Sequence, residues 1–171
     1  MDIKTTNDPA MAPAFAHLGA ISFTQTFGHL YREKDLRAYL ETSHKTEEYA
    51  RMLSDPAFCL WLVRDDRGEA VGYGVCGPTD LPIPSQPPGS GELWRLYLLE
   101  QAQGRGIGAQ LLGQCLTWLK SHFDHVFLSV YAENYRAQKL YARHGFEKVH
   151  DYQYMVGNHA DPEWIMRLRG D

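Results

Sequence analysis

Residues 92–112 read ELWRLYLLEQAQGRGIGAQLL, and this stretch decides the fold. Over residues 92–99 the apolar side chains fall on both alternating faces, which predicts a central strand buried on both sides. From Ile107 to about residue 120 the apolar positions follow the spacing of a helix. A strand that passes through a glycine-rich turn directly into a helix is therefore the centre of the predicted fold.

The glycine turn offers a site for a phosphate group. Gly104, Gly106 and Gly108 alternate where the strand becomes the helix. Without Cβ atoms the backbone N–H groups can converge on an anion, and the helix N-terminus adds unpaired donors and the positive end of its dipole. Arg105 adds a charge-assisted contact. We therefore expect a pyrophosphate at this turn.

Three kinds of phosphate-binding loop compete for this turn. A P-loop needs Lys followed by Ser or Thr after its last glycine, and Ala109 stands there instead. A dinucleotide-binding turn needs an acidic residue at the end of the next strand, whereas Asp124 precedes that strand and Glu133 is too distant. A loop for the pyrophosphate of coenzyme A needs a further strand and helix, and both follow in the sequence.

The flanking sequence places this unit in a mixed sheet. Short helices are predicted first, then a hairpin turning at residues 65–69, a long loop over residues 77–91, and a strand, a helix and a closing hairpin after the glycine turn. The predicted helices are residues 10–20, 34–41, 46–53, 107–120 and 134–144, and the predicted strands are residues 58–64, 70–76, 92–99, 126–131, 146–154 and 164–169. This order predicts an α/β fold with helices on the faces of the sheet, formed by residues 1–171 as one domain.

Two spaced motifs resemble those of the GCN5-related N-acetyltransferase (GNAT) superfamily. Gln103-x-x-Gly106-x-Gly108 is similar to its acetyl-CoA pyrophosphate motif, and Asn134-x-x-Ala137-x-x-x-Tyr141-x-x-x-Gly145-Phe146 is similar to its second motif. The resemblance covers about residues 92–146. It implies a central, mostly antiparallel mixed sheet with helices on both faces and a splayed central strand pair. The gap between those strands would receive the pantetheine arm and acetyl group of acetyl-CoA, the cosubstrate.

The same resemblance implies a set of cofactor-binding residues. They are Tyr97, Leu98, Leu99, Gln103, Gly104, Arg105, Gly106, Ile107, Gly108, Asn134, Ala137 and Tyr141. The backbone of the first three would bond the arm and polarise the thioester carbonyl, and Asn134 would cap its helix and bond the pantetheine amides. Gln103 stands where the family often has Arg, which lowers the positive charge there. Residues 26–31, TFGHLY, followed by Asp35-Leu36, resemble the bacterial polyamine-acetyltransferase branch.

Glu92 is the candidate general base. A primary ammonium with a pKa near 10.4 is neutral in only about 1 in 2,500 molecules at pH 7, equivalent to roughly 4.6 kcal/mol, so a proton acceptor is needed. Strand alternation predicts that Glu92 shares a face with Trp94, Leu96 and Leu98, opposite Arg95, and an apolar setting would raise its pKa. Similar family members carry a glutamate eleven positions before the Gln or Arg of the motif. The alternative is a solvated carboxylate at the strand end.

Tyr141 is the candidate general acid. Its phenol, with a pKa near 10, can donate a hydrogen bond to a departing thiolate whose thiol has a pKa near 8.5. Without the motif, a core aromatic on the helix face that holds Ala137 and Leu140 is the competing interpretation. The motif favours the catalytic role.

Composition excludes several function classes. The formal net charge is −4, from 17 Lys+Arg against 21 Asp+Glu, which disfavours a nucleic-acid binder. Cys59, Cys76 and Cys115 show no CxxC spacing and lie among apolar residues, as free thiols do, so we expect a reducing, cytoplasmic compartment. No signal peptide or membrane span is predicted, and His122 and His125 straddle a helix end rather than form a metal site.

These patterns together predict an acetyl-CoA-dependent N-acetyltransferase. It would transfer acetyl to the primary amine of a small molecule by direct attack in a ternary complex, without a metal. Transfer of another acyl group, transfer to oxygen, or a non-catalytic coenzyme-A-binding module are the alternatives, because the motifs hold the coenzyme and not the acceptor. The acceptor, the acyl length and the oligomeric state, a homodimer included, stay open.

Overall fold

A computed structural model describes residues 1–170, which form a seven-stranded sheet flanked by helices. The strands are β1 (Asp2–Thr6), β2 (Cys59–Arg64), β3 (Ala70–Pro78), β4 (Ser90–Leu98), β5 (His125–Tyr131), β6 (Phe146–Val156) and β7 (His159–Leu168). The helices are α1 (Ala12–Phe27), α2 (Glu33–Ser43), α3 (Thr46–Ser54), α4 (Ile107–His122) and α5 (Tyr135–Arg143). Three short 3-10 turns lie at Pro9–Met11, Gly28–Leu30 and Glu100–Ala102.

The sheet is mostly antiparallel. Its strand order is β1-β2-β3-β4-β5-β7-β6, and β4 and β5 are the parallel pair among these strands. The chain reaches β5 through α4, the crossover that a parallel pair requires. The predicted mixed α/β fold is confirmed.

Helices cover both faces of the sheet. On one face α4 and α5 pack with side chains such as Leu111, Cys115 and Tyr141 in a common core. On the other face α1 and α3 bury Phe15 and Tyr49, whose rings lie 5.8 Å apart between centroids. The central strands therefore have apolar surroundings on both sides, as their unbroken apolar sequences predicted.

The two central strands separate after a short contact. Residues Ser90–Leu93 of β4 pair with His125–Leu128 of β5, while β4 runs on to Leu98 and β5 to Tyr131. Beyond Leu93 the backbone groups on this edge of β4 have no partner strand and open onto a gap. The expected splayed strand pair is therefore present, and it positions the site described below.

The structure differs from the sequence prediction at several boundaries. The strand β1 was not predicted, because DIKTT alternates no apolar residues and lies exposed at the sheet edge beside β2. The helix α1 extends to Phe27 rather than ending at Ala20, since the Thr-rich sequence after Ala20 gave a weak helical signal. The strand β7 begins at His159, five residues before the predicted start, because Pro162 and the acidic residues around it are untypical of a strand.

Candidate active site

A large cleft opens where β4 and β5 separate. Its volume is about 920 Å³, and it runs from the glycine turn, past the gap, to β6 and β7. We call its two parts the glycine-turn end, bordered by Gly104, Gly106, Asn134 and Arg136, and the β7 end, bordered by Tyr31, Tyr39, Tyr152, Tyr154, Asp161 and Glu163. A site of this size accommodates a coenzyme together with a small second molecule.

The glycine turn has the conformation of an anion cradle. Gly104 and Gly106 have backbone φ values of +77° and +78°, which residues other than glycine rarely adopt. A Cβ atom on either residue would meet no atom within 4 Å. The first intrahelical bond of α4 joins the Gln110 N–H to the Gly106 carbonyl at 3.1 Å. The N–H groups of Ile107 and Gly108 precede that bond and are free for a ligand.

The side chains of the predicted turn residues differ in what they contact. Ile107 is buried in the core beneath the turn and is not among the residues that border the cleft. Arg105 is exposed. Gly108 has no positive φ, and a Cβ there would lie 3.6 Å from Leu98 Cδ1, an ordinary contact. The conformational demand for glycine therefore lies at Gly104 and Gly106.

Gln103 ties the end of β4 to α5. Its Nε2 donates to the Leu98 carbonyl at 2.9 Å, and its Oε1 accepts a hydrogen bond from Arg136 Nη1 at 2.6 Å. Arg136 borders the cleft and brings to this end the positive charge that Gln103 lacks. No local sequence pattern identifies Arg136, because its contact with Gln103 joins residues 33 positions apart.

The backbone of β4 offers fewer free groups than expected. The N–H of Leu99 donates to the Val71 carbonyl at 2.8 Å and is not free for a ligand. Since backbone groups alternate between the two edges of a strand, those of Tyr97 also point toward β3, and those of Leu98 point into the gap. Of the three predicted backbone contacts, Leu98 is the residue placed to make one.

Asn134 caps α5, as the sequence predicted. Its Oδ1 accepts a hydrogen bond from the Ala137 N–H at 3.2 Å. The amide nitrogen of its side chain stays available, and both residues border the glycine-turn end of the cleft.

Glu92 is buried rather than solvated at a strand end. The residue is 5% exposed, and its Oε2 accepts hydrogen bonds from Thr79 Oγ1 at 2.9 Å and from the Asp80 N–H at 3.3 Å. Burial raises the pKa of its carboxyl to about 8, and the Thr79 hydroxyl opposes the rise. Because both hydrogen bonds use Oε2, the other oxygen is the one available to a proton or a ligand in the cleft.

A β-bulge decides which residues share a face with Glu92. Cys76 pairs with Leu93 and Val75 with Arg95, so Trp94 is an extra residue in β4. The bulge reverses the alternation, and Leu96 and Leu98 pack with α4 on the opposite face. Arg95 lies on the face of Glu92, where its Nη2 donates to the Ser43 carbonyl at 2.8 Å. The prediction that Leu96 and Leu98 share a face of β4 with Glu92 is therefore wrong. The prediction that Arg95 lies on the face opposite Glu92 is also wrong.

Tyr141 borders the same cleft from the other face of the sheet. It lies on α5 in the core shared with α4, and its ring meets Phe146 edge to face at 6.0 Å between centroids. Burial raises the pKa of its phenol above the usual value, so the hydroxyl stays protonated. Glu92 and Tyr141 therefore reach the gap between β4 and β5 from opposite sides.

Residues 23–146 match the model of the Acetyltransferase (GNAT) family. The chain belongs to this family. An uncharacterized N-acetyltransferase of Lactobacillus delbrueckii subsp. lactis is 24% identical over 159 residues, which cover 91% of this chain and 90% of that one. The mycothiol acetyltransferase of Beutenbergia cavernae is 38% identical over 96 residues, 56% of this chain and 30% of that one.

Solved structures share the fold of this acetyltransferase. The PaiA N-acetyltransferase of Thermoplasma acidophilum, in complex with coenzyme A, superposes with a TM-score of 0.76 at 18% identity, covering 99% of this chain and 100% of that one. The ribosomal-protein-S18-alanine N-acetyltransferase of Escherichia coli superposes with a TM-score of 0.69 at 16% identity, covering 98% and 92%. At these identities the likeness concerns the fold alone.

Asp161 and Glu163, at the β7 end of the cleft of this acetyltransferase, were not predicted from the sequence. Tyr31 OH donates to Asp161 Oδ2, and the hydroxyls of Tyr39 and Tyr154 lie 3.1 Å apart. These contacts join the α1–α2 segment to β6 and β7 across the sheet. Alternation of Asp161, Glu163 and Ile165 could have placed the two acids on one face of a strand, but only the assembled sheet shows that this face borders the cleft.

Two further features of the acetyltransferase concern metal sites and membranes. Within residues 1–170, no group of three or more His, Cys, Asp or Glu side chains is arranged to hold a metal ion. His122 Nδ1 lies 2.8 Å from the Trp118 carbonyl and His125 Nδ1 lies 2.9 Å from Arg167 Nη2, so the two histidines have separate contacts. Over the same residues, no helix combines the length and apolar character that crossing a bilayer requires.

Proposed function

We propose that this acetyltransferase transfers the acetyl group of acetyl-CoA to a primary amine of a small molecule, by direct attack in a ternary complex. The observation that carries the proposal is the placement of Glu92 and Tyr141 on opposite sides of one gap. A proton acceptor and a proton donor on opposite sides of a reacting group are what amine acetylation needs. Direct attack requires both substrates at once, and one continuous cleft leaves room for both.

The glycine-turn end fits the pyrophosphate of the coenzyme. Gly104 and Gly106 leave the space above the turn open, and the free N–H groups at the start of α4 point toward it. Arg136 adds a positive charge at the same end. The pantetheine arm would then lie along the unpaired edge of β4, near the backbone of Leu98, with the amide of Asn134 on the other side of the gap.

Charge along the cleft favours a cationic acceptor at the β7 end. The basic residues of α5 that border the cleft are Arg136, Lys139 and Arg143, and the acidic residues toward β7 and the β3–β4 loop are Asp80, Glu92, Asp161 and Glu163. Two lining residues depart from this division: the acidic Glu100 precedes the glycine turn, and the basic Arg95 lies toward the acidic end, buried against the Tyr49 ring at 4.9 Å. Opposite charges at the two ends separate a phosphate-bearing substrate from an amine.

Each catalytic residue handles one proton. Acetyl-CoA supplies the thioester whose C–S bond breaks as the C–N bond forms. Glu92 takes the proton of the ammonium group on its free carboxylate oxygen, directly or through water, which regenerates the nucleophilic amine. The raised pKa of Tyr141 keeps its phenol protonated until the thiolate forms, and the phenol then donates its hydrogen bond and its proton to the departing sulfur. The second proton of the attacking nitrogen, which is lost as the amide forms, returns to the Tyr141 oxygen through water and restores the phenol.

Release of free coenzyme A thiol, measured with a panel of small amines, tests this function. Amine-dependent release together with a mass increase of one acetyl group on the amine is the expected result. Matched alcohols and longer acyl-CoA donors, used in the same assay, separate transfer to oxygen and other acyl transfers from N-acetylation. Binding of coenzyme A by calorimetry with no thiol release for any amine or alcohol would contradict the proposal and indicate a coenzyme-A-binding module.

A further inference from the structure

Glu163 lies beyond the point where β4 and β5 separate. It is on the face of the sheet away from α4 and α5, which we call the acceptor face. On β7 it pairs with Tyr131, the last residue of β5. The next residue on the same face of β7, Ile165, packs with Phe127 away from α4 and α5. The side chain of Glu163 therefore faces the β7 end of the cleft, which it borders.

Glu163 is a partly buried carboxyl without a cationic partner among the described residues. Burial raises its pKa to about 7, the nearby Asp161 raises it further, and the Ser129 hydroxyl opposes the rise. Among the ion pairs within residues 1–170, none includes Glu163. A buried carboxylate is stable only when a cation or enough hydrogen-bond donors compensate its charge. Residues 1–170 supply one hydroxyl and no ion-paired cation to Glu163.

The neighbour Asp161 is in a similar state. It is 3% exposed, and its Oδ2 accepts the hydrogen bond from Tyr31. Its Oδ1 is buried without a hydrogen-bond partner in the described residues, although His159 Nε2 lies 3.2 Å away in a poor geometry. Two acidic side chains on one strand therefore leave negative charge uncompensated at this end of the cleft.

Glu163 also lies near Tyr141, although its side chain is on the face of the sheet away from α5. Its charge raises the pKa of the phenols of Tyr97 and Tyr141, whereas Glu92 has no such effect on Tyr141. The attacking amine must approach the thioester carbonyl carbon. That carbon is bonded to the sulfur to which Tyr141 donates a hydrogen bond. A carboxyl close to Tyr141 on the acceptor face is therefore close to the amine.

We propose that Glu163 is the acceptor-binding carboxylate: it holds the protonated amine of the acceptor in the cleft before Glu92 removes the proton. The inference rests on the proposed function and adds a residue to it. The ammonium group of the acceptor supplies the cation that Glu163 lacks. The same ion pair therefore binds the acceptor and distinguishes it from neutral molecules. Glu163 selects amines over neutral acceptors, because an alcohol would leave the carboxylate buried and unpaired.

The titratable and charged groups around Glu163 are known from every element that faces it. They are Tyr131 of β5, Tyr152 and Tyr154 of β6, Asp161 of β7, Tyr97 and Arg95 of β4, Tyr141 of α5, and Tyr31 between α1 and α2. The tyrosines around Glu163 whose pKa is shifted by their surroundings have it raised, so those phenols stay neutral near pH 7. Asp161 favours the proton on Glu163, and a bound ammonium group opposes this.

Steady-state kinetics of Glu163→Gln test the proposal. The KM for the acceptor is expected to rise roughly 10- to 100-fold at pH 8, the range for a lost hydrogen bond to a charged group, while the KM for acetyl-CoA stays within about twofold. In the wild-type protein the acidic limb of kcat/KM that Glu92 sets below about pH 8 should become steeper by a further tenfold per pH unit below about pH 7, where Glu163 becomes protonated. This additional slope should be absent from Glu163→Gln, which keeps the limb set by Glu92.

Two further variants keep the test decisive. Glu163→Asp retains the charge on a shorter arm and should recover part of the acceptor affinity, and it serves where Glu163→Gln does not fold. Glu47→Gln, on the exposed face of α3, makes the same chemical change outside the cleft and should leave both KM values unchanged.

The outcomes separate this inference from the proposed function. An acceptor KM that is unchanged in Glu163→Gln, or an additional slope below about pH 7 that persists in it, overturns the role of Glu163 while leaving amine acetylation intact. A wild-type protein that acetylates no amine overturns both.

Discussion

Glu92 and Arg95 lie on the same face of β4, although three positions separate them, because Trp94 forms a bulge between them. The guanidinium of Arg95 is fixed by the Ser43 carbonyl and by the Tyr49 ring, and its charge lowers the pKa of Glu92 against the larger effect of burial. The bulge thus places a permanent positive charge beside the candidate base. Without it, the two residues would face opposite cores.

Gly106→Val should abolish tight binding of coenzyme A. The φ of +78° costs a β-branched residue about 1–3 kcal/mol, and the side chain would project where the N–H groups converge on the pyrophosphate. Calorimetry should show affinity at least about tenfold lower. Gly113→Ala, in α4 with open space for a methyl group, is the control and should bind normally. Unchanged affinity in a folded Gly106→Val protein would remove the turn from the site.

Tyr141→Phe should lower kcat by roughly 10²- to 10⁴-fold, the usual contribution of general acid catalysis. Affinity for acetyl-CoA should stay nearly intact, because the ring and its contact with Phe146 are retained. Tyr135→Phe makes the same change at an exposed tyrosine of the same helix and should leave kcat and the affinity for acetyl-CoA unchanged. Full turnover of Tyr141→Phe, with chemistry shown to be rate-limiting, would assign the residue to packing.

The activity defect of Glu92→Gln should depend on pH in a defined way. Below about pH 8 the ionised fraction of Glu92 and the neutral fraction of the amine both rise tenfold per pH unit, so the ratio of wild-type to variant kcat/KM stays constant. Above pH 8 Glu92 is fully ionised while neutral amine keeps increasing, so the ratio should fall. A ratio that stays level from pH 7 to 9.5 would indicate a positioning role.

Glu92→Gln should also stabilise the protein at neutral pH. The folded-state pKa of about 8 exceeds the unfolded value near 4.5, so the folded protein binds the extra proton, and wild-type stability falls as pH rises from about 4.5 to 8. Glutamine is neutral throughout and accepts the same bonds from Thr79 and Asp80. At pH 8 the melting temperature of the variant should be a few °C higher than that of the wild-type protein. At pH 4 the two melting temperatures should agree within about 1 °C. Equal melting temperatures at both pH values would contradict the raised pKa.

Arg95→Gln should shift the pH dependence that Glu92 imposes. Removing the positive charge raises the pKa of Glu92 above about 8, so the bend in the wild-type profile should move to higher pH. The lost bond to the Ser43 carbonyl should cost about 1–3 kcal/mol of stability. Urea unfolding measures the second effect separately. A bend that stays at the wild-type pH would show that Arg95 does not act on the base.

Local patterns in the sequence identified the central unit of the fold. The change from apolar alternation to helical spacing around residues 99–107 marked β4 and α4, and the need for glycine at positive φ marked Gly104 and Gly106. Asn134 was recognised as a cap because capping depends on neighbours three residues away. The strand β1 lacked such a pattern, since its pairing with β2 comes from residues almost 60 positions distant.

The sequence by itself determined most of the elements, the mixed sheet and the coenzyme motif, because these follow from backbone preferences within a few residues. Only the tertiary structure decided which side chains share the cleft. Pairing of β3 with β4 creates the Trp94 bulge, which places Arg95 beside Glu92. Pairing of β7 with the last residue of β5 places Glu163 at the gap. Register and bulges depend on the energy of the whole sheet, so no local pattern encodes them.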